Sequence, residues 1–383
     1  MNAEPRRPKV AYVCGGYQPR LDGVSDYVRR LVGALGERIE PIVVSAAPAD
    51  TNGPTPVLAR RRDWRLADVV LTLGALRCHR VDLVHVQYAP VAYRWRRAPR
   101  LLPILSRAIL GRAPVVVTAH EFDTNITRLV SSADATIVTT PEHAERIRHA
   151  APAVARRLHA IPIGPNVEPA RGDPARLAGE ARRRWGVPAD APLVVFFGFL
   201  HPVKGLEYLI RGMPRVRSAR PSARLILAGG WHSLALPGGE GEAYRDRLLS
   251  IIRECHLEDA VRITGYLSEA DISAVLMAAD VVALPFTYGI SVKSGSLLAA
   301  LAHARAVVAT QPCTADPRLK AGEHLVCVPP RQSEPLAAAL IGLLTESTRR
   351  QRLAEAVASA ARPFNWEPVA ERHLELYAHL LHR

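Results

Sequence analysis

Apolar residues occur along this chain in short runs that are separated by helix-length stretches. The runs are rich in β-branched residues, which is typical of strands buried on both faces in a parallel sheet. In the first half they occupy residues 10–13, 42–44, 81–86, 115–118, 135–139 and 159–163. In the second half they occupy residues 193–197, 223–228, 261–264, 281–284, 306–309 and 325–328. The pattern predicts an α/β protein with two successive, doubly wound parallel sheets.

Helical periodicity is clearest directly after the first predicted strand. Apolar residues recur there at three- and four-residue spacing and would form one stripe that packs on the sheet. The stripe consists of Val24, Tyr27, Val28, Leu31, Val32 and Leu35. Further helical segments are expected at residues 206–216 and 298–302, and a terminal helix is expected at residues 364–383.

The chain has 383 residues, and this length predicts two domains, because a single hydrophobic core stops growing at about 250–300 residues. An interval rich in proline, glycine and arginine, at residues 164–192, separates the two series of strands. It places the boundary near residue 165. Because ligands of open α/β sheets bind at the carboxyl ends of the strands, we expect the active site in a cleft between two facing domains.

The net charge of +14 is compatible with nucleic acid, an anionic membrane or an acidic small substrate as a partner. No nucleic-acid-binding motif accompanies the charge, so no nucleic acid partner is expected. Arginines cluster at residues 60–62 and around Trp95, and this pattern indicates either a peripheral membrane contact or a solvated helix face. The second cluster contains Arg94, Arg96, Arg97 and Arg100.

The segment that follows the first arginines is apolar for only six residues, too short for a secretory signal or a membrane span. A cytoplasmic protein is therefore expected, either free or peripheral at the inner face of the membrane. The cysteines lack CxxC spacing and predict neither a disulfide framework nor a zinc site. We expect reduced, mostly buried thiols at Cys14, Cys78, Cys255, Cys313 and Cys327.

Candidate chemistry in the first half lies at two predicted strand ends. The first strand leads into glycines and then into the helix at Gly23, where backbone amides favour an anion. A glycine turn that only reverses the chain is an equal alternative. After the fourth strand, His120 and Glu121 stand at the carboxyl edge of the sheet. His120 is a candidate acid, base or sugar-hydroxyl ligand, and its alternative is a structural hydrogen bond.

Two loops of the second half indicate a diphosphate site. In the first, Lys204 lies where a glycine-containing loop that starts at Gly198 enters a helix, so an ammonium and backbone amides converge. Its alternative is a solvated lysine. The second loop carries small and hydroxylated residues with one lysine before a helix, and it has no carboxylates that would hold a metal. Its candidates are Ser291, Lys293, Gly295 and Ser296.

These features, in this order, resemble family 4 of the glycosyltransferases, retaining enzymes of the GT-B fold with two facing Rossmann-like domains. The resemblance covers nearly the whole chain. It rests on the first glycine turn, on His120, on the loop 198–205 and on the segments 225–229, 264–266, 299–310 and 364–367. It implies an acceptor domain at residues 1–165, completed by a returning helix at residues 364–383, and a donor domain at residues 166–363.

The resemblance also implies roles for single residues. His120 would meet the donor sugar and Lys204 the diphosphate, and we assign catalytic roles to both and to Lys293. Tyr266 and Leu267 would lie against the base. The donor-binding candidates are Gly23, Gly198, His201, Lys204, Tyr266, Leu267, Ser291, Gly295 and Ser296. The acceptor-binding candidates are Tyr17, Asp22 and Glu121.

The chain departs from the family pattern in two respects. Phe199 stands where the family commonly has an arginine, and Lys293 is the candidate substitute for that missing cation. The family also has a pair of glutamates in the later loop, which align here with Ser291 and Ala299. The stretch 295–301 matches a subset of the family residue for residue. A variant donor site is therefore expected.

The expected function is transfer of a hexose or amino-hexose, with retention, from a nucleoside diphosphate sugar to a hydroxyl acceptor. UDP is the expected nucleotide, no metal cofactor is expected, and the pathway would build envelope glycans or natural products. A nucleotide-sugar-binding partner protein without activity is the main alternative, because Phe199 and Ala299 replace charged family residues. A sugar-nucleotide epimerase ranks below it.

Overall fold

The computed structural model describes residues 6–17, 23–46, 54–60, 63–123, 125–231, 239–312 and 314–382. The chain divides into two compact units. Unit 1 consists of Met1–Gly164 and Trp366–Arg383, and unit 2 consists of Pro165–Asn365. Asp22, Arg61, Arg62 and Cys313, which the sequence analysis singled out, lie outside the described residues.

Each unit contains one sheet in which every strand pairing is parallel, as predicted. The strands of unit 1 are β1 (Lys9–Cys14), β2 (Glu40–Ala46), β3 (Val57–Arg60), β4 (Leu83–Tyr88), β5 (Val115–Ala119), β6 (Ala135–Val138) and β7 (Leu158–Ala160). Those of unit 2 are β8 (Leu193–Phe197), β9 (Arg224–Ala228), β10 (Val261–Ile263), β11 (Val281–Leu284), β12 (Ala306–Thr310) and β13 (Val326–Val328). Their spatial orders are β3-β2-β1-β4-β5-β6-β7 and β10-β9-β8-β11-β12-β13.

Helices connect the strands in both units. They are α1 (Gly23–Leu35), α2 (Leu66–Cys78), α3 (Leu102–Leu110), α4 (Thr127–Ser132), α5 (Pro141–Ala150), α6 (Pro174–Arg184), α7 (Leu206–Ala219), α8 (Glu240–Glu254), α9 (Glu269–Ala278), α10 (Gly295–Ala302), α11 (Ser333–Thr345), α12 (Ser347–Ala361) and α13 (Trp366–Leu381). Within the described residues, no helix combines the length and the hydrophobicity that a membrane span requires.

Three expectations need correction. The edge strand β3 was missed because its apolar run is short and contains only one β-branched residue, Val57. The interval between the two series contains α6, which begins at Pro174 after Asp173 accepts hydrogen bonds from the next turn. Of the four described cysteines only Cys14 is buried, whereas Cys78 is exposed and Cys255 and Cys327 are half-buried.

The predicted stripe of α1, except the half-buried Val24, is buried against one face of the first sheet, and α13 packs on the same face. Beneath the two helices lies a cluster of buried polar side chains. The His85 imidazole lies 2.6 Å from the Tyr377 hydroxyl and 2.7 Å from the Thr118 hydroxyl. The Tyr27 hydroxyl lies 3.1 Å from His373 Nε2. Because buried polar groups need partners, this cluster fixes α13 on unit 1.

The two histidines of the cluster are held neutral by burial. Burial lowers the pKa of His373 from 6.5 to about 4 and that of His85 well below its ordinary value. Between about pH 4 and 6.5, the unfolded chain therefore binds more protons than the folded chain. The contribution of these neutral histidines to the free energy of unfolding is therefore complete above about pH 6.5. It is lost as the pH falls toward 4, because unfolding then takes up protons.

We expect His373→Gln to weaken this acid sensitivity. Glutamine cannot take up a proton on unfolding, so the slope of the unfolding free energy between pH 6.5 and 4 should fall by about 1.4 kcal/mol per pH unit. Urea unfolding at a series of pH values measures the slope. The control is His79→Gln, which replaces an exposed histidine. An unchanged slope in His373→Gln would contradict the assignment.

Candidate functional site

The loop that follows β8 packs so closely on neighbouring backbone that two of its positions require glycine. Gly198 has a φ of 144°, and a Cβ there would lie 2.8 Å from Ser296 Oγ at the start of α10. Gly205 has a φ of 65°, and a Cβ there would lie 2.1 Å from the Pro285 carbonyl oxygen, just after β11. The loop, the end of β11 and the start of α10 therefore meet at the carboxyl edge of the second sheet.

Lys204 lies inside this junction. Its Nζ stands 3.8 Å from the centroid of the Phe286 ring, and the preceding Val203 carbonyl accepts a hydrogen bond of 2.9 Å from Thr287 N. Burial lowers the pKa of Lys204 from 10.5 to about 8. Among the described residues no carboxylate pairs with this ammonium. A cation of this kind, held on an aromatic face, is prepared for an anionic ligand.

The helix α10 presents its amino end at the same place. Ser294 caps it by accepting a hydrogen bond of 3.3 Å from Leu297 N, and Ser296 is 7% exposed. A Cβ on Gly295 would lie 2.8 Å from the Asn166 side chain. The amino end of a helix favours negative charge, so it adds to the field of Lys204. α10 begins three residues before the predicted start because the serine cap lies upstream of its apolar run.

The loop before α10 holds the two remaining candidates. Ser291 Oγ accepts a hydrogen bond of 3.3 Å from Lys293 N, while the Lys293 side chain is exposed. Gly289 has a φ of 81°, and a Cβ there would lie 2.1 Å from the Gln311 carbonyl oxygen. This close approach fixes the loop against the end of β12.

The ends of β9 and β10 complete the edge. Gly229 and Gly265 form an antiparallel bridge, and a Cβ on Gly229 would lie 1.9 Å from the Gly198 carbonyl oxygen. The next residue, Tyr266, is 65% exposed and Leu267 is buried. His201 Nδ1 accepts a hydrogen bond of 3.1 Å from Val203 N and thereby caps the short turn that carries Lys204.

The candidates of unit 1 are arranged differently. His120 follows β5, its Nε2 lies 2.9 Å from Gln87 Oε1, and its ring packs edge-on against Tyr27 at 4.9 Å. Glu121 is exposed. Tyr17 is only 5% exposed and packs in the apolar cluster under α1. Its contact with the acceptor stays a prediction.

Gly23 begins α1, and among the described residues nothing lies within 4 Å of a Cβ placed there. A side chain would therefore meet no described atom at this position. The other acceptor candidate of this turn, Asp22, is outside the described residues.

The basic cluster around Trp95 also needs correction. Arg100 is buried at 8% exposure and forms an ion pair of 2.7 Å with Asp123, while its Nε donates to the Tyr88 hydroxyl at 2.8 Å. Arg100 thus ties the loop after His120 to the end of β4 and is not part of a basic surface. Arg94, Arg96 and Arg97 are exposed.

Sequence reasoning also missed Gln87 and Phe286. Gln87 interrupts β4 as its second polar residue, a signal that the apolar pattern alone does not interpret. Phe286 is the second residue after β11, and an aromatic residue there gives no sign in the sequence that it contacts a cation. Both became visible only through the residues that they touch.

Family comparisons agree with this geometry. A family described as Glycosyltransferase Family 4 matches residues 21–168, and one described as Glycosyl transferases group 1 matches residues 191–346. The chain belongs to glycosyltransferase family 4. The predicted family is thereby confirmed.

Relatives within the family are distant. A D-inositol 3-phosphate glycosyltransferase of Kineococcus radiotolerans is 31% identical over 227 residues, 57% of this chain and 51% of that protein. A phosphatidyl-myo-inositol mannosyltransferase of Mycobacterium tuberculosis is 29% identical over 284 residues, 72% of this chain and 70% of that protein. The chain thus spans about half the length of the Kineococcus relative.

Solved structures show the fold. Sucrose-phosphate synthase from Thermosynechococcus elongatus superposes with a TM-score of 0.74 at 22% identity, over 98% of this chain and 99% of that one. Anabaena HepE in complex with UDP and glucose gives a TM-score of 0.74 at 19% identity, over 97% and 100%. The predicted GT-B fold is confirmed.

We expect Lys204→Met to stabilise the protein in the absence of nucleotide. Methionine keeps an apolar contact with Phe286 and removes a partly buried charge, so the unfolding free energy at pH 7 should rise by about 1–3 kcal/mol. The wild-type protein should itself gain stability between about pH 8 and 10.5, as the ammonium loses its proton, and the variant should not. Urea unfolding measures both effects, with Lys204→Arg as the matched charged control. A less stable Lys204→Met would contradict the description of the site.

Proposed function

We propose that this chain is a retaining glycosyltransferase that uses a nucleoside diphosphate sugar, with unit 2 binding the donor and unit 1 the acceptor. The partly buried ammonium of Lys204 carries the proposal. It has no carboxylate partner among the described residues, and its loop packs at Gly198 on the start of α10. An unpaired charge of this kind is costly until an anion joins it. A diphosphate supplies that anion.

The reaction would proceed on one face of the sugar. The bond between the anomeric carbon and the diphosphate oxygen breaks, and the acceptor oxygen forms its bond to that carbon from the same side. The leaving diphosphate takes the acceptor proton. Lys204, the amides of α10 and Lys293 stabilise the negative charge that develops on the diphosphate. No carboxylate nucleophile and no metal are required by this scheme.

Lys293 and the missing glutamates make the donor site a variant of the family pattern. The exposed Lys293 precedes the cap of α10 and would replace the arginine for which Phe199 stands. Ala299 is fully buried in α10, so the ribose would be held by hydroxyls such as those of Ser291 and Ser296. Tyr266 and Leu267 would lie against the base.

UDP is the proposed nucleotide, and a hexose or amino-hexose is the proposed sugar. Solved structures of Anabaena HepE hold UDP with glucose and UDP-glucose, and this likeness supports UDP-glucose as the first donor to test. Two relatives carry inositol in their names, so inositol phosphates are the first acceptors to test. His120 would contact the donor sugar, and Tyr17, Asp22 and Glu121 the acceptor. Envelope glycans and natural products are both proposed as destinations.

Binding of UDP should depend on the protonation of Lys204. We expect a thermal shift with UDP that is large at pH 7 and declines as the pH rises through about 8, because the neutral amine no longer attracts the diphosphate. Lys204→Arg should extend the shift to higher pH, and Lys204→Met should abolish it. GDP, ADP and dTDP, each with and without magnesium, complete the panel. A wild-type shift that stays constant from pH 7 to 9.5 would contradict the role of Lys204.

An inactive nucleotide-sugar-binding protein is the second candidate, favoured by Phe199 and by the buried Ala299. It would show the same shift with UDP. It would catalyse neither transfer to an acceptor nor slow hydrolysis of UDP-glucose, and release of UDP from UDP-glucose distinguishes the two candidates.

We also propose a peripheral contact between unit 1 and the inner face of an anionic membrane. Trp95 is 67% exposed and Val91 is 50% exposed, and the exposed Arg96 and Arg97 follow directly in the chain. Arginines beside exposed apolar side chains bind anionic lipid surfaces.

We expect the protein to co-sediment with vesicles that contain phosphatidylserine and not with vesicles of phosphatidylcholine alone. The double variant Arg96→Ser, Arg97→Ser should reduce binding roughly thirtyfold, at about 1 kcal/mol for each basic residue. Arg183→Ser with Arg352→Ser removes the same charge from exposed positions of unit 2 and should leave binding unchanged. An equal loss of vesicle binding in both double variants would mean that net charge alone causes the binding, and it would refute the proposed contact at Trp95.

A further inference from the structure

Gln87 occupies an unusual position under the candidate sugar ligand His120. It is the fifth residue of β4, it is fully buried, and it shares a face of the sheet with His85 and with Thr118 of β5. Its Oε1 lies 2.9 Å from His120 Nε2. Its Nε2 has no hydrogen-bond partner among the described residues. A fully buried amide that leaves its donors unpaired is rare, and its one bond is to His120.

The direction of that bond sets the tautomer of His120. An amide oxygen can only accept, so His120 Nε2 carries the proton and donates it to Gln87. In a neutral imidazole the second nitrogen is then unprotonated. Any hydrogen bond that His120 Nδ1 makes is consequently one in which Nδ1 accepts.

The other side of the His120 ring is held by Tyr27. The Tyr27 ring meets it edge-on, and the Tyr27 hydroxyl is fixed by α13. His373 Nδ1 lies 2.7 Å from the Val369 carbonyl oxygen, which can only accept, so Nδ1 is the protonated nitrogen of His373. Its Nε2 therefore accepts the hydrogen bond of 3.1 Å from the Tyr27 hydroxyl. The ring of His120 thus lies between two buried, hydrogen-bonded side chains.

We propose that Gln87 is a positioning and specificity residue which keeps His120 neutral and able only to accept at Nδ1. The group that His120 recognises is then a hydroxyl, which donates, and not a carboxylate, which needs a donor. The inference rests on the proposed function. It predicts that the site prefers a hexose with a hydroxyl at the position facing His120 over the matching uronic acid.

The tautomer is tested directly by nitrogen-15 NMR of the histidine rings in the full chain, with His120→Gln used to assign the His120 signals. We expect His120 to be protonated at Nε2 at pH 7. Protonation at Nδ1 instead would overturn the proposal. This measurement needs neither a donor nor turnover, so it stands even if the proposed transferase activity fails.

The role in specificity is tested with Gln87→Glu, which preserves the length of the side chain and places a carboxylate beside His120. The carboxylate favours the protonated imidazole. We expect the pH at which turnover of UDP-glucose is half-maximal to rise by about one unit, with about a tenfold loss of kcat below that pH. The preference for UDP-glucose over UDP-glucuronate should shrink, because protonated His120 can donate to a carboxylate.

Tyr12→Phe is the matched control. It removes a buried hydroxyl from the same cluster, 3.2 Å from the Tyr377 hydroxyl. If Gln87→Glu and Tyr12→Phe lose similar thermal stability and share the same pH profile of turnover and the same sugar preference, the proposed role of Gln87 is overturned. A shifted pH profile in Gln87→Glu alone would support it. The thermal shift with UDP, which reports on unit 2, should persist in both variants, and its absence from the wild-type protein would count against the proposed function itself.

Discussion

The close approach of backbone segments at the carboxyl edge of the second sheet is the constraint on which the candidate site depends. A carbonyl of one loop lies where the side chain of Gly229 would be, and another lies where that of Gly205 would be. These contacts leave no freedom in the turn that carries Lys204. The ammonium is therefore held against Phe286 before any ligand arrives, and electrostatic stabilisation of this kind needs little reorganisation during reaction.

The position of Lys204 lowers the stability of the free protein and at the same time favours the binding of an anion. Burial depresses the pKa of Lys204, so the folded protein carries a charge that water would solvate better. The buried histidines His85 and His373 differ from Lys204 because they stay neutral. Their nitrogens find hydrogen-bond partners within unit 1. One unit thus concentrates an uncompensated charge where an anion is expected. The other holds its candidate sugar ligand, His120, between two uncharged side chains, Gln87 and Tyr27.

Much of the fold follows from the sequence because it depends on periodicity. The buried stripe of α1 and twelve of the strands are visible as apolar patterns, and the glycine positions around Lys204 are visible as motifs. What the sequence could not provide are contacts between distant residues. Arg100 resembles its exposed arginine neighbours until Asp123 is seen beside it, and the bond of Gln87 to His120 joins residues 33 positions apart. The edge strand β3 was missed because its four residues give only a short apolar run.

The return of α13 to unit 1 has a consequence for the way in which the chain is made. Tyr377 and His373 supply hydroxyl and imidazole partners to Tyr12, Tyr27 and His85, and the ribosome delivers them only after all of unit 2 has been synthesised. Until then, unit 1 holds polar side chains in its interior without their partners. The first unit to begin synthesis is therefore the last to reach its native state, and a nascent chain that stops short of α13 leaves uncovered the apolar residues of α1 on which α13 packs.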